Sequence, residues 1–459
     1  MDAGAFGARL TPRDAYRFAR GEQVTSSTGQ PVKLLRPLDF LVVADHSDNM
    51  GWFPKLIGGD PEMLANPQVR KWYDMINEGG QTAVDAAVEI IVAFSQGTFP
   101  METASFPGSK TYRDAWDIAI DAAEEFNDPG EFTAFIGYEW TSNEAGNNLH
   151  RVVVYRDDGR RAELMEPYTT LRPVGSPDPR DLWKWMQQYT DKTGGDLLAI
   201  AHNGNLSNGI MFPVRDSFTN KKFDRAYAET RAKWEPLYEV TQIKGDGEAH
   251  PLLSPDDEFA DYENWDRGNW AGEKKTPEML PHEYARGVLK IGLQLEEQLG
   301  TNPFKFGMVG ATDSHTSLAT TREDNYFGKV SLMEPGPDRF AGQIVPDPEG
   351  VGTATYEFET VAAGLQGVWS RENTRESLWD AMKRKETYAT TGTRITVRVF
   401  AGWDFDEKTV LRPDFAKTGY RGGVPMGGDL HDAPEGKAPR LMVRALRDPD
   451  GANLDRVQI

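Results

Sequence analysis

The sequence predicts an α/β fold, in which helices cover a sheet of mostly parallel strands, followed by a short antiparallel β region. Apolar runs such as FLVVA at 40–44 are too short for helices and are typical of strands buried on both faces. These runs alternate with stretches in which apolar residues recur every three or four positions, as in βαβ units. After Gly392, apolar and charged residues alternate, which favours antiparallel strands with one solvent-exposed face.

The elements follow in order along the chain. Thr11, Pro12 and Asp14 predict the start of a helix that ends near Gly21, because they form an N-cap, a first-turn proline and a capping acid. The strand at 40–44 comes next. Further helices are predicted at 66–78, 82–96, 111–126, 179–193, 282–299 and 374–387, and further strands at 132–140, 150–156, 196–203, 237–244 and 304–315.

Two regions close the chain. The polar, Gly- and Pro-rich stretch 334–353 is predicted to form a long surface loop, and the strands at 393–403 and 440–448 belong to the antiparallel region. We therefore divide the chain into an α/β domain at 1–390 and a β-rich subdomain at 391–459.

Composition limits the function classes. The 459 residues are 39% hydrophobic and carry a net charge of −20, so a large core is possible and a nucleic-acid backbone or an anionic membrane is a poor partner. The absence of cysteine from the sequence excludes disulfides, thiolate nucleophiles and Cys-ligated zinc. The sequence contains no run of about 18 apolar residues, so we expect no membrane span.

Both ends of the sequence look cut. The N-terminal MDAGAFGARL has neither the basic segment nor the apolar segment of a signal peptide, and the C-terminal NLDRVQI stops within a strand-like pattern. We expect a soluble protein whose native form begins upstream with a signal for export to the bacterial periplasm.

Acidic and imidazole side chains lie at the ends of the apolar strands. They are Asp45 and His46, Glu139, His202, Asp313 and His315 after strands, and His150 at the entrance to the strand at 150–156. A single such residue is more often a hydrogen-bonded loop residue. Because the carboxyl ends of parallel strands meet at one face, five coincident cases favour a mixed nitrogen and oxygen site for Zn²⁺, Mn²⁺ or Fe²⁺.

The spacing of these residues refines the prediction. Asp313 and His315 are alternate residues, and in an extended chain their side chains point the same way toward one ion or two adjacent ions. Asp45 and His46 are adjacent and point apart, so we expect one to bind metal and the other to orient a ligand.

Seven stretches together resemble the polymerase-and-histidinol-phosphatase (PHP) superfamily, and most closely the bacterial PHP-like proteins of the DUF3604 family. They are RPLDFLVVADHSDN, FTAFIGYEWTS, GNNLHRVVVYR, LLAIAHNGNLSNG, LYEVTQIKGDGEAHP, FGMVGATDSHTSLATTRED and ETYATTGTRI. The resemblance implies a distorted (β/α)7 TIM-like barrel with two or three divalent metal ions at its C-terminal face. It also implies metal-dependent hydrolysis of a small phosphate ester by a hydroxide generated at the metal.

The resemblance assigns metal ligands residue by residue. They are His46, Glu139 as a ligand that can bridge ions, His150, His202, Asp313 and His315. The superfamily's opening His-x-His strand is absent, and Met1-Asp2-Ala3 resembles only its tail, so Asp2 is the last assigned ligand. The resemblance therefore implies that the first barrel strand is missing and that the metal cluster is incomplete.

Several polar residues are candidates for catalysis or substrate binding. His202 or Asp313 could shuttle a proton, and Arg151, Lys244 and Arg322 could hold phosphate, although each cation alone is as typical of an ordinary protein surface. The loop 203–209, beginning at Asn203, could contact substrate or form a simple polar turn. His250 could line the pocket from the side.

Two other functions remain open from the sequence. An amidohydrolase-like enzyme would cleave a C–N or C–O bond, and a carbamylated lysine on a mid-barrel strand would favour it, for which Lys244 is the only candidate at a strand end. A barrel that binds a ligand without catalysis is the other alternative.

Overall fold

The computed structural model describes residues 2–95, 97–332, 334–337, 339–345, 354–360 and 363–459. Within these ranges the helices are α1 (Asp2–Ala5), α2 (Pro12–Ala19), α3 (Trp52–Ile57), α4 (Pro67–Glu78), α5 (Gly80–Ser95), α6 (Lys110–Phe126), α7 (Gly159–Ala162), α8 (Pro179–Thr193), α9 (Arg225–Trp234), α10 (Ala285–Leu299), α11 (Arg375–Lys383), α12 (Glu407–Val410) and α13 (Phe415–Gly422).

The strands are short, and the longest have seven residues. They are β1 (Val24–Thr25), β2 (Pro31–Val32), β3 (Phe40–Val42), β4 (Thr133–Phe135), β5 (Gly137–Trp140), β6 (Asn143–Glu144), β7 (Asn147–Asn148), β8 (Arg151–Tyr155), β9 (Leu197–His202), β10 (Leu237–Gln242), β11 (Gly245–Asp246), β12 (Gly307–Gly310), β13 (Gln343–Val345), β14 (Thr355–Tyr356), β15 (Leu365–Val368), β16 (Thr387–Thr390), β17 (Thr396–Gly402), β18 (Val424–Pro425) and β19 (Arg440–Leu446).

The helix ends follow from local sequence. At the start of α2, the Thr11 hydroxyl accepts from the Asp14 N–H at 3.4 Å and the Asp14 carboxylate accepts from the Thr11 N–H at 3.0 Å, which is the predicted capping box. At the C-terminal end of α8, Gly194 adopts a left-handed conformation with φ 69°, as glycine readily does. The helix predicted at 374–387 ends earlier, because residues 387–390 form β16.

The largest sheet has six strands and mixed direction. Its order is β11-β10-β9-β8-β5, and β12 also pairs with β10. β8 pairs in antiparallel with both β5 and β9, and β11 pairs in antiparallel with β10, whereas β10 pairs in parallel with both β9 and β12. Because adjacent antiparallel strands place opposite residues close together, this sheet sets the geometry of the candidate site.

The prediction of a distorted (β/α)7 barrel is wrong. The described strands form several separate sheets, and these do not close into a barrel, which would require neighbours on both sides of every strand. One cause is the connection between β5 and β8. It spans only residues 141–150, too few for the helical crossover that a parallel pair needs, so the two strands pair in antiparallel.

The strand at β3 also differs from its prediction. Residues 40–44 are all half-buried, although the apolar run predicted burial on both faces. Among the described residues, β3 pairs only with β4, in parallel, so its other edge lacks a strand that would cover it.

The main core lies between the large sheet and the helices α6 and α8. It is rich in aromatic residues, which bury large apolar areas: Trp116, Tyr138, Trp140, Tyr155, Trp183, Trp185 and Tyr189. This packing fixes the backbone of β5, β8 and β9 from one side. On their other face, Val154, Leu198 and Ile200 belong to a second apolar core, and the polar site described below lies at the end of that face.

The C-terminal strands form their own sheet. β17 pairs in antiparallel with β18 and, over seven residues, with β19, in agreement with the alternating pattern of the sequence. Its small core is built from Phe400, Phe405, Phe415 and Met442. The sequence predicts a long surface loop at 334–353. Within it, residues 343–345 form β13, and residues 338 and 346–353 lie outside the described ranges.

Within the part of the chain that the structure describes, each helix is too short or too polar to cross a membrane.

Candidate metal centre

Three neighbouring strands bring one carboxylate and two imidazoles together. Glu139 lies in β5, His150 directly precedes β8, and His202 is the last residue of β9. The antiparallel register pairs Arg151 with Ala201, so the adjacent His150 and His202 face each other, and the His202 N–H donates to the His150 carbonyl at 3.3 Å. The sequence therefore folds locally so that three separated residues share one face.

The distances within this group are short. One carboxylate oxygen of Glu139 lies 2.8 Å from His150 Nδ1 and 3.5 Å from His202 Nε2. Its other oxygen lies 3.5 Å from His46 Nε2. One ligand atom each from Glu139, His150 and His202 fit within 4.8 Å of one another. All three residues are buried, with exposed fractions of 4%, 5% and 1%.

The donors fit a divalent metal ion. Both ring nitrogens of His202 are buried without a hydrogen-bond partner, an arrangement that proteins rarely leave uncompensated. His150 Nε2 lies 3.0 Å from the Asn143 side-chain oxygen, and when it donates there, the Nδ1 lone pair faces Glu139. Two nitrogens and one carboxylate are the ligand types that Zn²⁺, Mn²⁺ and Fe²⁺ accept.

The electrostatics of the group favour a carboxylate beside imidazoles. Burial would raise the pKa of Glu139, but the imidazoles of His46, His202 and His150 beside the carboxylate hold this pKa well below its ordinary value. Burial lowers the pKa of His150 more than Glu139 raises it, which favours the neutral ring that can bind a metal. At His202, burial is outweighed by Glu139, Glu239 and Asp313, so the pKa is raised.

A second set of residues extends the same cluster. The ring centres of His46 and His315 are 6.0 Å apart, so the two imidazoles face one space. His315 Nδ1 lies 3.6 Å from Asp313 Oδ1 and 2.6 Å from Lys329 Nζ. The Lys244 ammonium contacts the other oxygen of Asp313. Burial would raise the pKa of Asp313, but Lys244, Lys329 and His315 together lower it.

The local backbone at Asp313 differs from the prediction. The strand predicted at 304–315 ends at Gly310, and Asp313 adopts a left-handed conformation with φ 51°. The argument from alternate residues of an extended chain is therefore wrong, because the segment is not extended. Asp313 and His315 still come together, through a turn that directs both side chains into the cluster.

Comparison with known families decides what kind of chain this is. The family model described as protein of unknown function (DUF3604) matches residues 1–459. The chain belongs to the DUF3604 family. This confirms that part of the resemblance inferred from the seven motifs. The chain matches no curated protein and no solved structure.

Three residues of this DUF3604 chain belong to the cluster but were missed from the sequence: Glu239, Gln242 and Lys329. Glu239 is paired with His202 in the sheet, and burial raises its pKa to about 7. The Gln242 amide donates to Asn203 and to Asp313, each at 2.6 Å. An acid inside the apolar strand LYEVTQ was a usable signal for Glu239, whereas Lys329 lies in a stretch without periodicity.

Arg151 does not take part in the cluster, contrary to its prediction as a catalytic, phosphate-binding residue. Its side chain is fully buried and donates from Nε to Glu235 at 2.9 Å. Arg231 pairs with the same carboxylate at 3.2 Å, and Trp183 donates to it at 2.9 Å. Because Arg151 follows His150 in an extended chain, its side chain points to the opposite face, where it stabilises the core.

The remaining predicted residues lie in different places. Asn203 is buried next to His202 and accepts from Gln242, so it lines the cluster. Arg322 is partly exposed and pairs with Asp324 at 2.8 Å, outside the cluster. His250 is buried against Asp266 at 3.0 Å and serves the loop around it. The side chain of Asp2 lies outside what the structure describes, and its backbone belongs to α1 and not to a strand.

A narrow cleft lies beside the cluster. Its walls include Leu206, from the loop after His202, together with Trp265 and Trp270. The ring centre of Trp270 is 6.0 Å from Lys244 Nζ, which connects the cleft to the cluster. The arrangement places two indole rings close to the candidate metal ligands.

Proposed function

We propose that this DUF3604 chain is a divalent-metal-dependent hydrolase related to the PHP superfamily and that it acts on phosphate esters. The observation that supports the proposal most strongly is the buried group of Glu139, His150 and His202, in which both ring nitrogens of His202 are without a hydrogen-bond partner. An unsatisfied buried polar group costs about 1–3 kcal/mol, and a bound ion would remove that cost for the ring nitrogen that it contacts.

The chain's own residues would divide the work. Glu139, His150 and His202 would hold one ion, and His46, Asp313 and His315 would hold a second. A bound divalent ion would supply a Lewis acid that polarises a phosphoryl oxygen and acidifies water. Asn143 would fix the ring of His150 through its hydrogen bond at 3.0 Å.

The buried lysines support a phosphate as the group that is attacked. Lys244 and Lys329 have exposed side-chain fractions of 6% and 5%, and both ammonium groups contact Asp313. An ammonium group beside the ligands would bind the oxyanion of a substrate and stabilise charge that develops during hydrolysis. The indole ring of Trp270, 6.0 Å from Lys244 Nζ, would contact the ester's alcohol group.

A second candidate is an amidohydrolase-like enzyme that cleaves a C–N or C–O bond. The location of Lys244 Nζ inside the cluster favours it, because that chemistry uses a carbamylated lysine among the ligands. A carbamate at Lys244 would place two negative groups side by side, since its Nζ contacts Asp313. We therefore rank the phosphoesterase first.

Hydrolysis by metal-free and reconstituted protein tests the proposal. The full chain is stripped with a chelator, reloaded with Zn²⁺, Mn²⁺ or Fe²⁺, and assayed with aryl phosphate monoesters, phosphate diesters, carboxyl esters and anilides. We expect phosphate esters to be cleaved only after reloading. His202→Asn should lower the rate by about a hundredfold or more, because the loss of one ligand or second-shell group usually has such effects.

His250→Asn is the matched control, since His250 is also buried but pairs with Asp266 away from the cluster. It should keep the wild-type rate, provided that its melting curve shows a folded protein. Equal rates with and without metal, or equal rates in wild type and His202→Asn, would overturn the proposal. Cleavage of anilides or carboxyl esters alone would favour the second candidate.

A further inference from the structure

A second cleft lies on the C-terminal sheet and is built from residues that take no part in the metal centre. Its volume is about 270 Å³, close to the lower end of the range of roughly 300–1,000 Å³ usual for small-molecule sites. It lies between β17, β19, the first turn of α13 and Trp369, which follows β15. The indole N–H of Trp369 donates to the Val397 carbonyl at 2.8 Å, so this wall is fixed to the sheet.

The charge of the cleft is unusual for this protein. Arg398, Arg444 and Lys417 line it, and within the described ranges none of the three forms an ion pair with a carboxylate. The acid in its wall, Asp414, is paired with Arg412 at 2.9 Å. On a chain of net charge −20, three cations without carboxylate partners in one cleft create a local positive potential that attracts an anion.

The two guanidinium groups are held in place by aromatic rings. Arg398 lies 4.2 Å from the ring centre of Trp369, and Arg444 lies 4.2 Å from that of Phe415. The Arg398 Nη2 group donates to the Tyr420 hydroxyl at 3.0 Å, whereas its Nε is buried without a hydrogen-bond partner. Arg444 Nη2 likewise donates to the Val410 carbonyl at 3.1 Å. These contacts fix both guanidinium groups and leave the Nη1 group of each arginine as the donor for a ligand, and the fixed position lowers the entropy cost of binding.

We propose that this cleft binds a small organic anion, a carboxylate or phosphate group carried on an apolar or aromatic body. The oxyanion would contact Arg398, Arg444 and Lys417. The positive end of the α13 dipole adds to the attraction, because the first turn of α13 forms part of the wall. The apolar body would lie on Trp369 and on Leu446, which is 58% exposed.

Calorimetric titration of the full-length protein with four probes tests the chemistry. Benzoate and phenylphosphonate carry both the anion and the ring, benzamide lacks the charge, and acetate lacks the ring. We expect the two aryl anions to bind, with an affinity that falls as salt rises. Benzamide and acetate should each bind at least about tenfold more weakly, a difference of about 1.4 kcal/mol. The tighter of the two aryl anions identifies the oxyanion as carboxylate or phosphate.

Two variants locate the binding. Lys417→Gln should weaken benzoate binding about two- to fivefold, because an exposed ion pair is worth up to about 1 kcal/mol. Arg444→Gln should weaken it about tenfold or more, since it removes a fixed charged donor. Lys408→Gln, in the exposed helix α12 and outside the cleft, is the matched control and should leave the affinity unchanged.

Because Arg444 packs on Phe415, its replacement also removes a packing contact, whereas Lys417 is exposed. The Lys417 variant therefore decides whether the loss of affinity comes from the lost charge. The inference is overturned if benzamide binds as tightly as benzoate, or if Lys417→Gln and Lys408→Gln have the same affinity. It is equally overturned if none of the probes binds at concentrations up to about 10 mM, which corresponds to a binding free energy of about −3 kcal/mol.

Discussion

Replacing Glu239 by Gln should remove a loss of folding stability that the metal-free protein undergoes as the pH rises. Burial raises the pKa of Glu239 to about 7, against an ordinary value of 4.5. The folded state therefore holds this proton more tightly than the unfolded state, so the stabilisation is complete below about pH 4.5 and is lost as pH rises to about 7. At about 1.4 kcal/mol per pH unit, the loss totals about 3 kcal/mol, of which about 2.5 kcal/mol falls between pH 5 and 8.

Denaturant unfolding in the presence of a chelator, at pH 5 and at pH 8, measures this effect. Glutamine has the shape of glutamate but does not ionise, so the stability of Glu239→Gln relative to wild type should increase by about 2.5 kcal/mol between the two pH values. The exposed Glu229→Gln in α9 is the control and should show no such change. If the difference between Glu239→Gln and wild type is the same at both pH values, the reasoning about burial at this site is refuted.

Three further predictions concern other parts of the site. Asp313→Ala should abolish hydrolysis with little loss of fold, and a pure sample that keeps phosphatase activity would contradict its role in the cluster. Glu235→Gln should lower the free energy of unfolding by about 3–5 kcal/mol, because Arg151 and Arg231 lose their buried carboxylate, yet metal content should not change; an unchanged melting temperature would contradict this. Trp270→Ala should raise KM for aryl phosphates more than it lowers kcat, and steady-state kinetics with equal effects on both would argue against substrate binding in the adjacent cleft.

The convergence of Glu139, His150 and His202 could be predicted from the sequence. Each lies at or near the end of a short apolar strand, and burial of a polar group at such a place is costly unless it binds a partner. The direction of the strands was predictable as well, but from a different feature. The connection of residues 141–150 is too short for a helical crossover, which gives β5 and β8 their antiparallel pairing.

Other parts of the site depend on contacts between distant segments. The position of Arg151 is set by Glu235, which is 84 residues away, so the sequence could not separate a substrate-binding arginine from a buried structural one. Lys329 reaches Asp313 and His315 from a stretch without a repeating pattern. The left-handed turn at Asp313 gave no signal either, because an aspartate can adopt that conformation without any change of residue type.

The metal content of the purified full-length protein tests the central claim most directly. Elemental analysis after dialysis should give about one or more Zn, Mn or Fe per wild-type chain, since Glu139 and His202 lie in one buried set of donors. The double variant Glu139→Gln/His202→Asn should retain less than about a tenth of that metal, while Glu229→Gln retains all of it. Wild-type protein that holds no transition metal after incubation with each ion, or a double variant with the same metal content as wild type, would contradict the account.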